Sequence, residues 1–244
     1  MSGHSKWHSI KHKKGAADAK RGKIFTKLGN EIAIAAREGG DPATNFKLRL
    51  AVAKAKSANM PSSNIERSIA RGSGTGDGAA LEELNYEGYG PSGVAILAKA
   101  LSDNRNRTGA DVKSTFAKYG GNLGAPGSVS YMFEQKGVIV CKPNLDKDNI
   151  ALSAIDAGAT DIDDTGEQVI VYTKPSDLED IREKLSDNVE SADVEMSPSQ
   201  SIEVDDIKKA QTLLRLIDAL DDLDDVVSVT ANYDISDEII NQLG

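Results

Sequence analysis

The sequence predicts a multidomain α+β protein. A basic arm and a three-helix bundle should lead into two ferredoxin-like α+β domains, one inserted in the other. Three observations point there. The hydrophobic period changes from helical to alternating near residue 80, and strand-sized and helix-sized segments then follow one another. Charge also divides the chain into a basic start, a neutral middle and an acidic end.

The totals bound the problem. A chain of 244 residues with 39% hydrophobic and 27% charged residues suits several globular domains and excludes general disorder. No apolar run reaches the ~18 residues of a membrane span. The single Cys141 excludes an internal disulfide framework and a cysteine-based zinc site. The leader carries cations but no apolar stretch, so a secretory signal is not expected and a cytoplasmic location is. The net charge of -9 conceals the asymmetry. Residues 1–72 hold 15 Lys and Arg against 5 Asp and Glu, a net +10; residues 73–144 balance; residues 145–244 reach -19. Such opposition marks the basic end as an interaction surface.

Each element follows in order. The leader "HSKWHSIKHKK" (4–14) contains the only Trp, Trp7, and every histidine, His4, His8 and His12, among Lys6, Lys11, Lys13 and Lys14. Next, Ile24, Phe25, Leu28, Ile32, Ala35 and Ala36 form one helical stripe that Gly39-Gly40 and Asp41-Pro42 end. "NFKLRLAVAKAKSAN" is a second helix. "MPSSNIERSIARG" is a third, with Pro61 at its start and Gly72 just past its end. The run "GSGTGDG" matches neither a GxGxxG nor a Walker loop, and no strand precedes it, so it reads as a linker that closes an arm-and-bundle region at residues 1–75.

From Tyr86 two β-rich runs flank Gly90-Pro91, and "NRNRTGADVKSTFAKYG" makes a helix closed by Gly120-Gly121. "SVSYMFEQKG" is a strand, and "GVIVCK" opens a second series of strand, helix, strand, helix and strand up to Met196. Asp205–Leu220 is an amphipathic helix, followed by a strand in "DVVSVTANY". The middle segment alone is one helix and one strand short of a βαββαβ sandwich, and the chain end offers both. Residues 80–135 plus 205–244 are therefore expected as one α+β domain, with 136–204 inserted. Three domains strung in sequence is the alternative.

Chemistry finds little to work with. All histidines lie in the leader, so no Ser-His-Asp or Cys-His set can be assembled from the globular part. Cys141 sits in an apolar strand pattern, where an inert thiol is expected. "DIDDTGEQ" fits a calcium loop at Asp161, Asp163 and Gly166 but fails at Thr165 and Tyr172, so a turn before a strand is the simpler account. A metal on the His4/His8/His12 ladder would meet four lysines and no carboxylate. No enzyme activity, cofactor or metal is expected.

Nucleic acid makes better sense of the same residues. Lys and Arg neutralise phosphates and release counterions, and Trp7 and His can stack on bases. The candidate contacts are His4, Lys6, Trp7, Lys11, His12, Lys13, Lys14, Lys20, Arg21, Lys23, Lys27, Arg49, Arg67 and Arg71, with Lys47, Lys54 and Lys56 as further helix cations. In "DNRNRT", Arg105 and Arg107 are a further candidate pair, with Asp103 or Asn104 as a helix cap. A membrane contact is not expected, because the leader has little apolar content beyond Trp7 and Ile10. The acidic third should face away from nucleic acid or meet a basic protein.

With these residues in view, the chain resembles the YebC/PmpR family, whose mitochondrial relatives include the translational activator of cytochrome oxidase subunit I. The resemblance rests on "GHSKW" with "IKH", "DAKRGKIFTKL", "NMPSSNIERSIARG", "YEGYGPSGVA", "DNRNRT" and "GGNLGAPGSVSYMFEQKGVI", which together cover most of residues 3–139. One departure is His8-Ser9, where the family usually has Ala-Asn or similar, which makes the histidine ladder a local feature. The resemblance implies a helical bundle, two nested α+β domains and a non-enzymatic regulator of gene expression. Its target would be either DNA, in transcription, or ribosomal RNA, with tRNA and ribosomal proteins as further contacts. No helix-turn-helix signature or dimer zipper stands out, and an arm of Lys, His and one Trp suits folded RNA. The expectation is an rRNA- or ribosome-associated translation factor, with a DNA-binding regulator as the alternative.

Overall fold

The computed structural model describes residues 18–75, 81–143, 145–165 and 168–243. It divides into two units, Ala16–Ser130 with Lys208–Thr230, and Tyr131–Ile207 with Ala231–Gly244. Both are mixed α+β, and helices come first in the chain.

The first unit starts with α1 (Asp18–Ala35), extended by a short 3-10 turn at Ala36–Glu38, then α2 (Phe46–Ser57) and α3 (Ser62–Gly72). Helical spacing puts Leu28, Ile32, Ala35 and Ala36 on one face of the first segment, where they bury against Leu48, Val52, Ala55, Met60 and Ile65. Asn45 connects the pieces. Its Oδ1 accepts from Leu48 N at 3.1 Å, while its Nδ2 donates to the carbonyls of Ala35 (2.7 Å) and Gly39 (2.8 Å). One side chain thus caps α2 and satisfies carbonyls that the end of α1 leaves open. Gly72 corrects the sequence reading. It is the last residue of α3, not the residue beyond it, and a Cβ there would lie 2.0 Å from the Ala33 carbonyl oxygen. Its role is close helix packing rather than termination.

The same unit continues with β1 (Glu82–Tyr89), β2 (Ala95–Ser102), α4 (Arg105–Lys118) and the short β3 (Asn122–Leu123). β1 and β2 form an antiparallel hairpin, and β3 pairs antiparallel to β1. Beyond the second unit, α7 (Ile207–Asp221) and β9 (Val226–Ala231) complete the sheet in the order β3-β1-β2-β9. Helix α7 buries Ala210, Leu213, Leu216, Ile217 and Leu220, whereas Ile207, expected on that face, is exposed.

The second unit carries β4 (Phe133–Cys141), α5 (Lys147–Ala157), β5 (Asp161–Asp164), β6 (Val169–Thr173), α6 (Leu178–Leu185) and β7 (Val189–Pro198). The sheet order β5-β6-β4-β7 with antiparallel pairs is the βαββαβ pattern. β4 is one nine-residue strand where the sequence suggested two separated at Gly137. That glycine does not break the strand; a Cβ there would sit 2.2 Å from Thr173 Oγ1 and 3.1 Å from Leu178. It lets α6 approach the sheet. Asp161–Asp164, tested as a calcium loop, is strand β5 itself. A parallel pair, β8 (Ile202–Glu203) with β10 (Tyr233–Asp234), and α8 (Asp237–Leu243) end the unit.

Candidate nucleic-acid interface

Seven of the candidate contacts, His4, Lys6, Trp7, Lys11, His12, Lys13 and Lys14, lie outside the described residues. So do the side chains of Lys20 and Arg21, although their backbone belongs to α1. The remaining seven fall into exposed cations and cations already engaged by the fold.

Arg67 on α3 and Arg105 at the start of α4 are exposed. Lys23 is exposed as well, and donates to the Asp222 carbonyl at 3.0 Å. Lys27 is half-buried, donates to the Asp221 carbonyl and lies 3.6 Å from the Asp221 carboxylate. Arg49 stands over the Phe46 ring at 5.7 Å and donates to the carbonyls of Pro42 and Ala43. Arg71 lies 3.4 Å from Asn30 Oδ1. Among the further helix cations, Lys47 pairs with Glu38 at 2.6 Å and Lys54 with Glu31 at 3.1 Å. The basic surplus of the bundle is therefore partly used to join its own helices.

The "DNRNRT" segment resolves into distinct roles. Asn104 is the cap of α4, its Oδ1 accepting from Arg107 N at 3.1 Å. Arg107 Nη2 reaches Asp225 Oδ2 at 2.9 Å and Asp103 Oδ1 at 3.1 Å, with Ser102 Oγ at 3.3 Å. Asp225 also accepts from Thr108 Oγ1 (2.6 Å) and Ser102 Oγ (3.0 Å). Burial opposes its ionisation, yet the hydrogen bonds from Thr108, Arg107 and Ser102 prevail and hold its carboxyl below the usual range. The guanidinium of Arg107 thus serves a carboxylate in this fold. A cleft beside it is lined by Lys23, Arg107 and Thr108 but also by Asp111, Asp222, Asp224 and Asp225, a set that repels phosphate.

Sequence reasoning missed Glu87. Its carboxylate accepts from the backbone N–H groups of Gly127 (2.7 Å), Val129 (2.8 Å) and Ser130 (2.8 Å). Burial would raise its pKa, but these donors outweigh burial and lower it. The glutamate holds the glycine-rich 124–130 loop against β1. Only its place among buried β1 neighbours hinted at this, because alternation assigns a charged residue to the solvent side. Cys141 is fully buried, and burial pushes its thiol up to about 11, the environment of an unreactive sulfur. Among the described residues no His, Cys, Asp and Glu cluster could hold a metal ion, and no helix is long and apolar enough to cross a membrane.

The fold and side chains define a mixed α+β protein whose basic residues gather at a helical amino-terminal end. Residues 5–75 match the model of the TACO1/YebC protein N-terminal domain, and residues 81–233 match that of the TACO1/YebC second and third domain. The chain belongs to the TACO1/YebC family. A protein of Geobacter sulfurreducens is 51% identical over the whole of both chains, and one of Desulfitobacterium hafniense is 49% identical over 98% of each. Both carry the name "probable transcriptional regulatory protein". The crystal structure of a conserved hypothetical protein from Aquifex aeolicus, 44% identical, superposes with a TM-score of 0.88 over 95% of this chain and 97% of that one.

Proposed function

We propose that this chain regulates gene expression by binding nucleic acid through its basic amino-terminal end, without catalysing a reaction. The observation that carries this is the net +10 within residues 1–72 of a chain whose total is -9. Arg67, Arg105 and Lys23 are exposed candidate cations, and the arm supplies Lys6, Trp7, Lys11, His12, Lys13 and Lys14. Arg107 acts by holding the start of α4, so that Arg105 is presented to solvent.

The relatives' names support DNA and transcription as the target. The bundle adds one observation the sequence reading lacked. α2 and α3 are joined by four residues, 58–61, with Asn59 at positive φ, the connection length of a helix-turn-helix. The exposed Ser62, Ser63 and Arg67 would then face the groove.

A second reading, RNA within the ribosome, is favoured by the arm itself. Lysines and histidines around a single tryptophan suit stacking on unpaired bases more than reading duplex edges. The same salt titration run on promoter DNA fragments and on ribosome pelleting separates the two. Sequence-dependent DNA binding without ribosome association supports the transcription reading, and the reverse supports the translation reading. Retention of both activities after deletion of residues 2–14 would overturn the assignment of the arm.

A further inference from the structure

In the first unit, the end of helix α7 is charged against its own dipole. A helix C-terminus is the negative end, where Lys and Arg stabilise and carboxylates do not. Yet residues 218–225, "DALDDLDD", hold five aspartates and no Lys or Arg, and no basic residue lies in the last turn of α7. Compensating charge comes from α1, 199 and 194 residues away in the chain. Lys23 Nζ donates to the Asp222 carbonyl at 3.0 Å. Lys27 Nζ donates to the Asp221 carbonyl and lies 3.6 Å from the Asp221 carboxylate. Lys23 and Lys27 are four residues apart and so share one face of α1. The side chains of Lys27 and Asp221 are 15% and 26% exposed, so salt screens their contact less than a fully solvated pair. Lys23 also lines the cleft in which Asp111, Asp222, Asp224 and Asp225 gather. A helix end that breaks its local charge rule, and finds its compensation on a basic surface, is where a functional contact is expected.

We propose that the acidic end of α7 takes the place of nucleic-acid phosphates on the Lys23–Lys27 face of α1, so that the free protein holds part of its own interface closed. Carboxylates and phosphates offer an ammonium group the same chemistry, charged oxygen acceptors. Lysine suits such an exchange, because its compact ammonium takes either partner without a fixed geometry. Arg107 differs, since its guanidinium is held by Asp225 and Asp103 together. A nucleic acid that reaches this face of α1 must displace Asp221 and Asp222 from the two lysines, and the freed carboxylates then repel the same phosphates. The α1 face therefore opens only to a target whose other contacts, at Arg67 and the rest of the basic end, offset that displacement. This inference rests on the basic amino-terminal end being the nucleic-acid contact, and adds the end of α7 as its internal competitor.

Asp221→Asn combined with Asp222→Asn removes both carboxylates and keeps the size of the side chains. The affinity of this variant for duplex DNA or ribosomes should rise, about tenfold if the contact is closed about nine tenths of the time in the wild type. An affinity that is unchanged or lower overturns the proposal. A tied chain supplies the converse. In the Lys23→Cys, Asp222→Cys variant, a bis-maleimide with a reducible disulfide spacer joins α1 to the end of α7, while the native Cys141 is fully buried and stays unlabelled. The tied protein should bind several-fold more weakly than the same protein after the spacer is reduced, a recovery that a misfolded variant cannot give. Equal affinity before and after reduction overturns the proposal. Heparin, a polyanion without bases, separates this inference from the proposed function. Heparin affinity that follows both changes, in a chain that binds neither DNA nor ribosomes, upholds the competition and rejects the proposed function instead. Heparin affinity indifferent to both changes overturns the competition, whatever the natural target.

Discussion

The Nη2 atom of Arg107 lies 2.9 Å from Oδ2 of Asp225, joining the first turn of α4 to the segment that enters β9, 118 residues later. Leu101 N donates to the Asp225 carbonyl at 2.8 Å, so side chain and backbone of one aspartate anchor β2, α4 and β9 together. Replacing Asp225 by Ala should remove about 1–3 kcal/mol, because Thr108, Ser102 and Arg107 lose one shared acceptor. The check is urea unfolding, with a lowered midpoint at unchanged slope.

Asp225 and Glu87 both have folded pKa values below those of free carboxylates. The stability they supply is therefore complete above the unfolded value near 4 and is lost as pH falls through the lower folded values. Glu87→Gln keeps the shape but weakens three charge-assisted bonds to the 127–130 backbone, at a cost of about 2–3 kcal/mol near neutral pH. Its acid-unfolding limb should be shallower than that of the wild type. An unchanged pH dependence would mean that the carboxylate is protonated in the native protein.

An exposed helix gains about 1 kcal/mol when Gly becomes Ala. Gly72→Ala should reverse that sign. The added Cβ meets the Ala33 carbonyl at 2.0 Å, and α1 must move away from α3 at a cost of about 1–3 kcal/mol. Thermal unfolding of Gly72→Ala beside Gly22→Ala, where the new Cβ has open space, separates packing from propensity.

Cations that differ in their engagement should differ in function. Arg67→Gln and Arg105→Gln should each weaken nucleic-acid binding and reduce the magnitude of the salt slope by about 1 if each neutralises one phosphate. Lys54→Gln removes a charge already paired with Glu31 and should leave affinity within about twofold while slightly loosening α1 against α2. Equal losses at Arg67 and Lys54 would show that bulk charge rather than position governs binding.

Much of the chain was legible before its fold. The helical stripe from Leu28 to Ala36 and the asparagines of "DNRNRT" at a helix start follow from local periodicity and capping chemistry, whereas β5 of the second unit, Asp161–Asp164, read as a turn before a strand and joins the sheet only by pairing with β6. Reading Gly72 as a stop and Gly137 as a break failed for one reason: both glycines answer to an atom from elsewhere in the chain, Ala33 in one case and Thr173 in the other. Glu87 escaped because a carboxylate inside a strand is buried only when three backbone donors converge on it, and those donors lie about forty residues away.

The division of charge, the basic arm with its single tryptophan and the family motifs belong to the sequence alone, since composition and local order need no folding to be read. Which cations a carboxylate engages was decided by tertiary structure. Arg105 and Arg107 are two residues apart on one helix, both exposed, and look equivalent in the sequence, yet it is Arg107 that Asp225 and Asp103 hold. Ion pairing depends on distance in space, and residue 225 comes within 3 Å of residue 107 only once β9 has joined the sheet.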